Sequence, residues 1–240
     1  IKDVSLHALA ALAEKRDNEP GNHLHRTQGY VALLIDLLRE HPRFQAELAD
    51  ADYCDRVIKA APLHDIGKVG IADAVLLKPG KLTPEEFAVM KGHAMIGADA
   101  LGESIQQVLA ARAVRGLSGD GDFSGSALDF LEVARQIAGG HHEKWNGAGY
   151  PLGLQGDAIP LPARLMAVAD VFDALISRRH YKEPYPDEQV MQIMREGRGQ
   201  HFDPDVADAF LQNVVKFAEI AQRYRDEHAE AQAAEHGAKA

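Results

Sequence analysis

The chain has 240 residues, 46% apolar and only 6% aromatic. That is enough for one large core built on Ala, Leu, Val and Ile, a makeup that suits packed helices better than a β-sandwich. Asp and Glu outnumber Lys and Arg by 36 to 26, a formal charge of −10, which disfavours DNA or RNA but allows a small anion held by local positive charge. The single cysteine, Cys54, excludes an internal disulfide framework and a thiolate zinc cluster. No apolar run approaches the ~20 residues of a membrane span and no signal peptide heads the chain, so a cytoplasmic location away from membranes is expected. The chain opens on Ile1 rather than Met and reads as a fragment of something longer.

Residues 1–18 place Val4, Leu6, Leu9, Leu12 and Ala13 at helical spacing and read as a linker helix from a missing upstream domain. Glu19-Pro20-Gly21-Asn22 breaks that helix, because the residue before proline avoids the α region. A second helix is predicted from Pro20 through Val31, Leu34, Ile35 and Leu38. Asp52 is the predicted cap of a third, with Val57, Ala60 and Ala61 inward and Pro62 kinking its last turn near His64 and Asp65. Thr83-Pro84-Glu85-Glu86 makes a strong helix start. The buried face expected there is Phe87, Met90, Ala94, Gly97 and Leu101, with His93 on the polar flank.

Gly116 to Ser126 reads as an exposed insertion. Its Asp120-Gly-Asp122 run is like the opening of a calcium loop, but the twelfth position is Leu131 rather than Glu. Further helices are predicted over 127–142, 161–177, 186–196 and 204–224, then a polar tail over 225–240. No strand alternation persists, so the expected class is all-α.

Histidine is abundant at 12 residues, and its placement matters more. His64-Asp65 and His141-His142 are adjacent pairs, while Glu19 and His23 stand four apart, about one helical turn. Asp170 and Asp173 share one face of an otherwise apolar helix, where unpaired carboxylates would cost several kcal/mol. A metal cation would compensate them, and so would a salt bridge to Arg164 or Arg179. Imidazole and carboxylate donors without thiolate favour Fe(II), Mn(II) or Zn(II), Fe and Mn best suiting an octahedral site. Two divalent ions would outweigh the charges of Glu19, Asp65 and Asp170 by one, leaving a net positive site for a phosphodiester inside an acidic protein.

The joint pattern is more specific than any part. His64-Asp65-Ile-Gly-Lys68, then Leu77-Lys-Pro-Gly-Lys-Leu-Thr, then His141-His-Glu-Lys-Trp-Asn-Gly-Ala-Gly149-Tyr150-Pro151, then Ala167-Val-Ala-Asp170-Val-Phe-Asp173-Ala-Leu stand in that order. Over roughly residues 15–215 the chain resembles the HD-GYP family of bacterial cyclic di-GMP phosphodiesterases, within the HD superfamily. The resemblance implies a helical bundle with long functional loops, a catalytic domain over 19–224, and two or three divalent metal ions. It carries over His64, Asp65, His93, His141, His142 and Asp170 as ligands, with His23 and Glu19 as a further pair for a larger centre. Asp65 would bridge ions, a hydroxide held between them would attack phosphorus, and Lys68 would contact the phosphate or assist the leaving oxygen.

The glycine-rich Glu143–Pro160 loop carries Gly149, Tyr150 and Pro151, and Tyr150 has a face and a hydroxyl suited to guanine. Asp173 joins them as an expected substrate contact, as do Arg179 and Lys182 of the basic stretch Ser177–Lys182. Pro20, Ala94, Asn146 and His180 depart from the family pattern without deleting an expected ligand. The expected activity is hydrolysis of cyclic di-GMP to pGpG and onward to GMP. Hydrolysis of another cyclic dinucleotide, such as 3′,3′-cyclic GMP–AMP, is the enzymatic alternative, and a non-catalytic dinucleotide- or partner-binding regulator is the alternative of another class. An upstream receiver or sensory domain and a homodimer are the expected protein partners.

Overall fold

Helix α1 (His23–Leu38) turns Tyr30, Val31, Leu34, Ile35 and Leu38 inward at three- and four-residue spacing. It packs on α3 (Ala51–Ala60) and on α7 (Leu161–Ile176), whose Leu165, Met166, Val168 and Ala169 are fully buried. Between α1 and α3 lies the single turn α2 (Gln45–Leu48). This computed structural model describes residues 10–13, 15–17, 22–114, 125–177 and 184–224. Glu19, Arg179, Lys182, the 120–122 run and the 225–240 tail therefore lie outside the described residues. Residues 10–13 and 15–17 are helical, in keeping with the expected leading helix, and no β-strand occurs among the described residues.

Asp50, not Asp52, caps α3, accepting from the backbone N–H of Asp52 and Tyr53. Pro62 has no N–H to continue α3, which tightens into a 3-10 turn over Ala61–Leu63. The carbonyl of Ile58, which that N–H would have met, accepts from Gln28 Nε2 at 3.1 Å. The chain thus leaves α3 pointing His64 and Asp65 toward the bundle axis, and a second 3-10 turn over Ile66–Gly70 follows. The short α4 (Asp73–Leu76) leads to the long α5 (Pro84–Val114), where Thr83 and Glu86 make the reciprocal capping bonds the sequence predicts.

The inward face of α5 includes the expected Ala94 and Gly97, with Met90 and Leu101 half-buried, but His93 and Ala98 are buried too and Phe87 is exposed. A Cβ on Gly67 would lie 1.9 Å from the His93 carbonyl oxygen, so only glycine lets the Ile66–Gly70 turn sit directly on this face. Helix α6 (Gly125–Gly140) packs along α5 and ends just before His141, two residues earlier than the pattern suggests.

After α7 come α8 (Asp187–Gly197), α9 (Pro204–Leu211) and α10 (Val214–Arg223). The predicted continuous helix 204–224 is two helices, because Asn213 Nδ2 bonds the Ala209 carbonyl and its own backbone leaves the helical region. The break folds Phe217 back onto Phe210 (ring centroids 4.8 Å apart), completing an aromatic group with Tyr30 and Phe172.

Asp203 joins these parts electrostatically. It is 1% exposed, caps α9, and meets Arg164 Nη1 at 2.7 Å and Arg43 Nη1 at 3.0 Å. Burial pushes its carboxyl upward, but the two guanidiniums prevail and hold it below the ordinary range. Asp203→Asn should lose about 2 kcal/mol in a denaturant titration at pH 7, because it removes the buried carboxylate that both guanidiniums share and leaves them only Asp157 and Asp205. A depressed carboxyl stabilises above its unfolded value near 4 and loses that contribution as pH falls through the folded one, so parent and variant should converge in acid.

Candidate metal centre

The side chains of five separate segments converge on one centre. His23 opens α1, His64 and Asp65 follow the proline turn, His93 comes from α5, His141 and His142 follow α6, and Asp170 comes from α7. His23, His64, His93 and His141 are each no more than 2% exposed. Their donor atoms fall into two groups: Asp65, His93, His141 and His142 in one, and His23, His64 and Asp170 in the other, each within 4.8 Å.

The rings are pre-set for cation binding. Nδ1 of His64 donates to the Ala61 carbonyl (3.0 Å), that of His93 to Met90 (2.7 Å), and that of His141 to Ile137 and Ala138 (both 3.1 Å). His23 Nδ1 donates to Asp173 Oδ2 at 2.8 Å. With the proton fixed on Nδ1, each Nε2 presents a lone pair inward. His23 Nε2 and His64 Nε2 face each other at 3.3 Å. Nε2 of His93 and of His141, and Asp65 Oδ1, are buried with no hydrogen-bond partner. Orphaned acceptors converging at such distances fit metal ions.

Asp65 stands between the groups. Its Oδ1 lies 3.2 Å from His93 Nε2 and 3.6 Å from His141 Nε2, whereas Oδ2 lies 3.3 Å from His64 Nε2. Burial pushes this carboxyl upward, and the ammonium of Lys68 leads the groups that hold it well below the usual range. Burial, with His141 alongside, pushes His142 down to about 2, so its ring stays neutral as a ligand requires.

Lys68 Nζ lies 2.8 Å from Asp65 Oδ2 and also pairs with Asp17, a partner that sequence reasoning missed. Arg16 next to it bonds the carbonyls of Val69 and Ile71, fastening the leading helix to the Ile66–Gly70 turn.

Asp173 is not on the substrate side. It is 1% exposed and is consumed by His23, by Arg26 Nε (2.7 Å), by Tyr30 and by Ser177. Its cation among the described residues is Arg26 rather than Arg164, and its bond to Nδ1 fixes the His23 ring. Arg26 escaped sequence reasoning, although it follows His23 by three on the same helical face.

Gly149 likewise packs inward: a Cβ there would lie 2.3 Å from the Lys144 backbone nitrogen, so glycine is needed for the loop to close. The loop folds around buried Glu143, also missed, which accepts from Leu152 N (2.7 Å) and Leu154 N (2.9 Å). Tyr150 stacks on His142 with centroids 4.7 Å apart, and Pro151 beside it is half-buried.

Residues 124–206 match the HD domain family. The chain is 52% identical, over 95% of its length and 48% of the relative's, to a probable cyclic di-GMP phosphodiesterase of Vibrio cholerae serotype O1. It belongs to the HD-GYP family of HD-domain proteins.

This HD-GYP chain is 51% identical over 94% of its length, and 42% of the relative's, to a cyclic di-GMP phosphodiesterase of the same organism. It thus spans about half the length of the curated relatives it matches. The fold is shared with a Bdellovibrio bacteriovorus HDG"Y"P protein (TM-score 0.52, 21% identity, 80% of this chain and 52% of the other). It is shared too with a cyclic GMP–AMP-specific phosphodiesterase of V. cholerae (TM-score 0.54, 18% identity, 91% and 52%).

Asp173→Asn should weaken Mn(II) binding about 10- to 100-fold in a calorimetric titration while the protein stays folded, since the lost contact sets ring orientation and basicity.

Proposed function

We propose that this domain is a metal-dependent phosphodiesterase that opens cyclic di-GMP to pGpG and carries it on to GMP. The observation that carries this reading is the pair of adjoining ligand groups, with Asp65 of one reaching His64 of the other at 3.3 Å, and the names of the two V. cholerae relatives above support the substrate. Bound there, two divalent ions would lower the pKa of water and neutralise the phosphate charge. Iron or manganese suits the nitrogen- and oxygen-rich donor set, with Glu19 available to extend it to a third ion.

Asp65 addresses both ligand groups through its two oxygens, while the Nδ1 contacts hold the histidine rings. Lys68 stands beside Asp65 Oδ2, from where its ammonium can meet a phosphate oxygen or supply a proton to the leaving oxygen. Arg179 and Lys182 belong to the substrate side in this reading, with Pro151 at the loop edge. Residues 19–224 form the catalytic unit. An upstream receiver or sensory domain, a homodimer and a cytoplasmic location complete the reading.

Hydrolysis of 3′,3′-cyclic GMP–AMP is the second reading, favoured by a 37% identical V. cholerae relative named as specific for it. The ratio of kcat/KM for the two dinucleotides decides between them. Protein loaded anaerobically with Fe(II) or Mn(II) should convert cyclic di-GMP to pGpG or GMP, and chelation should stop it. Asp65→Ala should lose bound metal and at least about a thousandfold in kcat. Metal-loaded protein that binds the dinucleotide without turnover would favour the regulator instead.

A further inference from the structure

Tyr150 has a face suited to guanine, and in the structure one face of its ring meets a protein ring. The Tyr150 ring is already stacked on His142, tilted by only 26° at 4.7 Å. Lys91 Nζ lies 5.8 Å from the same ring centroid. One face of Tyr150 thus braces His142, and a second aromatic surface open beside it is Phe87. That ring stands nearly perpendicular to Tyr150, at 84° and 6.4 Å, and is 47% exposed. Lys91 Nζ is also 5.5 Å from the Phe87 centroid, within cation–π range of both rings. Among the described residues Lys91 makes no ion pair.

Phe87 and Lys91 are four apart on α5 and share one face, and the same helix delivers His93 two residues later. The pair thus sits at the rim of the Asp65–His93–His141–His142 group. A buried aromatic would need no further account, but an exposed one joined to an ammonium beside a phosphodiester site matches a purine nucleotide. Rings of this kind stack on bases irrespective of sequence, and an ammonium meets purine O6 and N7 or a phosphate oxygen. A cyclic dinucleotide carries two purines on opposite sides of its phosphate ring, so with one phosphate at the metal pair a base must extend past the rim.

We propose that Phe87 and Lys91 form a purine subsite of the cyclic dinucleotide site, Phe87 stacking on the base and Lys91 holding its polar edge or the adjoining phosphate. This rests on the phosphodiesterase reading above.

The test is steady-state kinetics of the Mn(II)-loaded protein with cyclic di-GMP. Phe87→Ala should raise KM about tenfold with kcat changed less than about threefold, and Phe87→Tyr should restore the parent KM. Lys91→Met, which keeps the stem and removes the charge, should raise KM about fivefold and flatten its salt dependence. Unchanged KM in Phe87→Ala, a fall confined to kcat, or loss of bound metal with no rescue by tyrosine would overturn the subsite. Should the parent not turn over cyclic di-GMP, the phosphodiesterase reading fails by itself. Calorimetric binding of cyclic di-GMP to the same variants then decides the subsite, about tenfold weaker binding in Phe87→Ala supporting it and equal binding refuting it.

Discussion

His23 Nε2 and His64 Nε2 face one another across 3.3 Å in a buried site, each with its proton fixed on the far nitrogen by a carboxylate or a carbonyl. Two lone pairs cannot rest at that distance without a cation or a proton between them. The same holds a few ångströms away, where His93 Nε2, His141 Nε2 and Asp65 Oδ1 converge without partners. Much of the molecule can be understood as scaffolding for this unfavourable arrangement, which becomes favourable when positive charge is supplied.

The scaffolding works through helix ends. Three ligand-bearing segments lie where helices stop: α1 begins at His23, α3 tightens at Pro62 before His64, and α6 stops at Gly140 before His141. At such ends carbonyls have acceptor capacity to spare: those of Ala61 and Ile137 take the imidazole Nδ1–H of His64 and His141 beside the same residues' backbone N–H, and that of Ala138 takes the His141 Nδ1–H as well. His93 uses the carbonyl of Met90 inside α5, where Gly67 brings the Ile66–Gly70 turn into backbone contact. His23, lacking such a carbonyl, relies on Asp173, itself fixed by Arg26 from the same helix as His23.

Much of this was legible in the sequence. The ligand types, the proline turn, the Thr83–Glu86 capping box and the inward face of α1 follow from spacing and local chemistry, and the order of motifs gives the family. Side-chain direction was not legible where long-range packing sets it. Asp170 and Asp173 share a helical face by spacing, yet one turns to the metal centre and the other to Arg26, a residue far away in sequence. Phe87 was expected inside because it fits an apolar spacing, but the Ile66–Gly70 turn packs on α5 further along, at His93 and Gly97, and Phe87 stays at the surface. Asn213 looked compatible with one long helix until its amide found the Ala209 carbonyl. Asp17, Arg16 and Glu143 matter through contacts that no local pattern announces.

In the proposed mechanism Asp65 would join two ion sites into one centre. Electron paramagnetic resonance of the protein titrated with Mn(II) tests it most directly. Two equivalents should give an exchange-coupled multiline spectrum in the parent and only uncoupled six-line signal in Asp65→Asn. A parent that shows isolated six-line manganese at every loading would contradict the account.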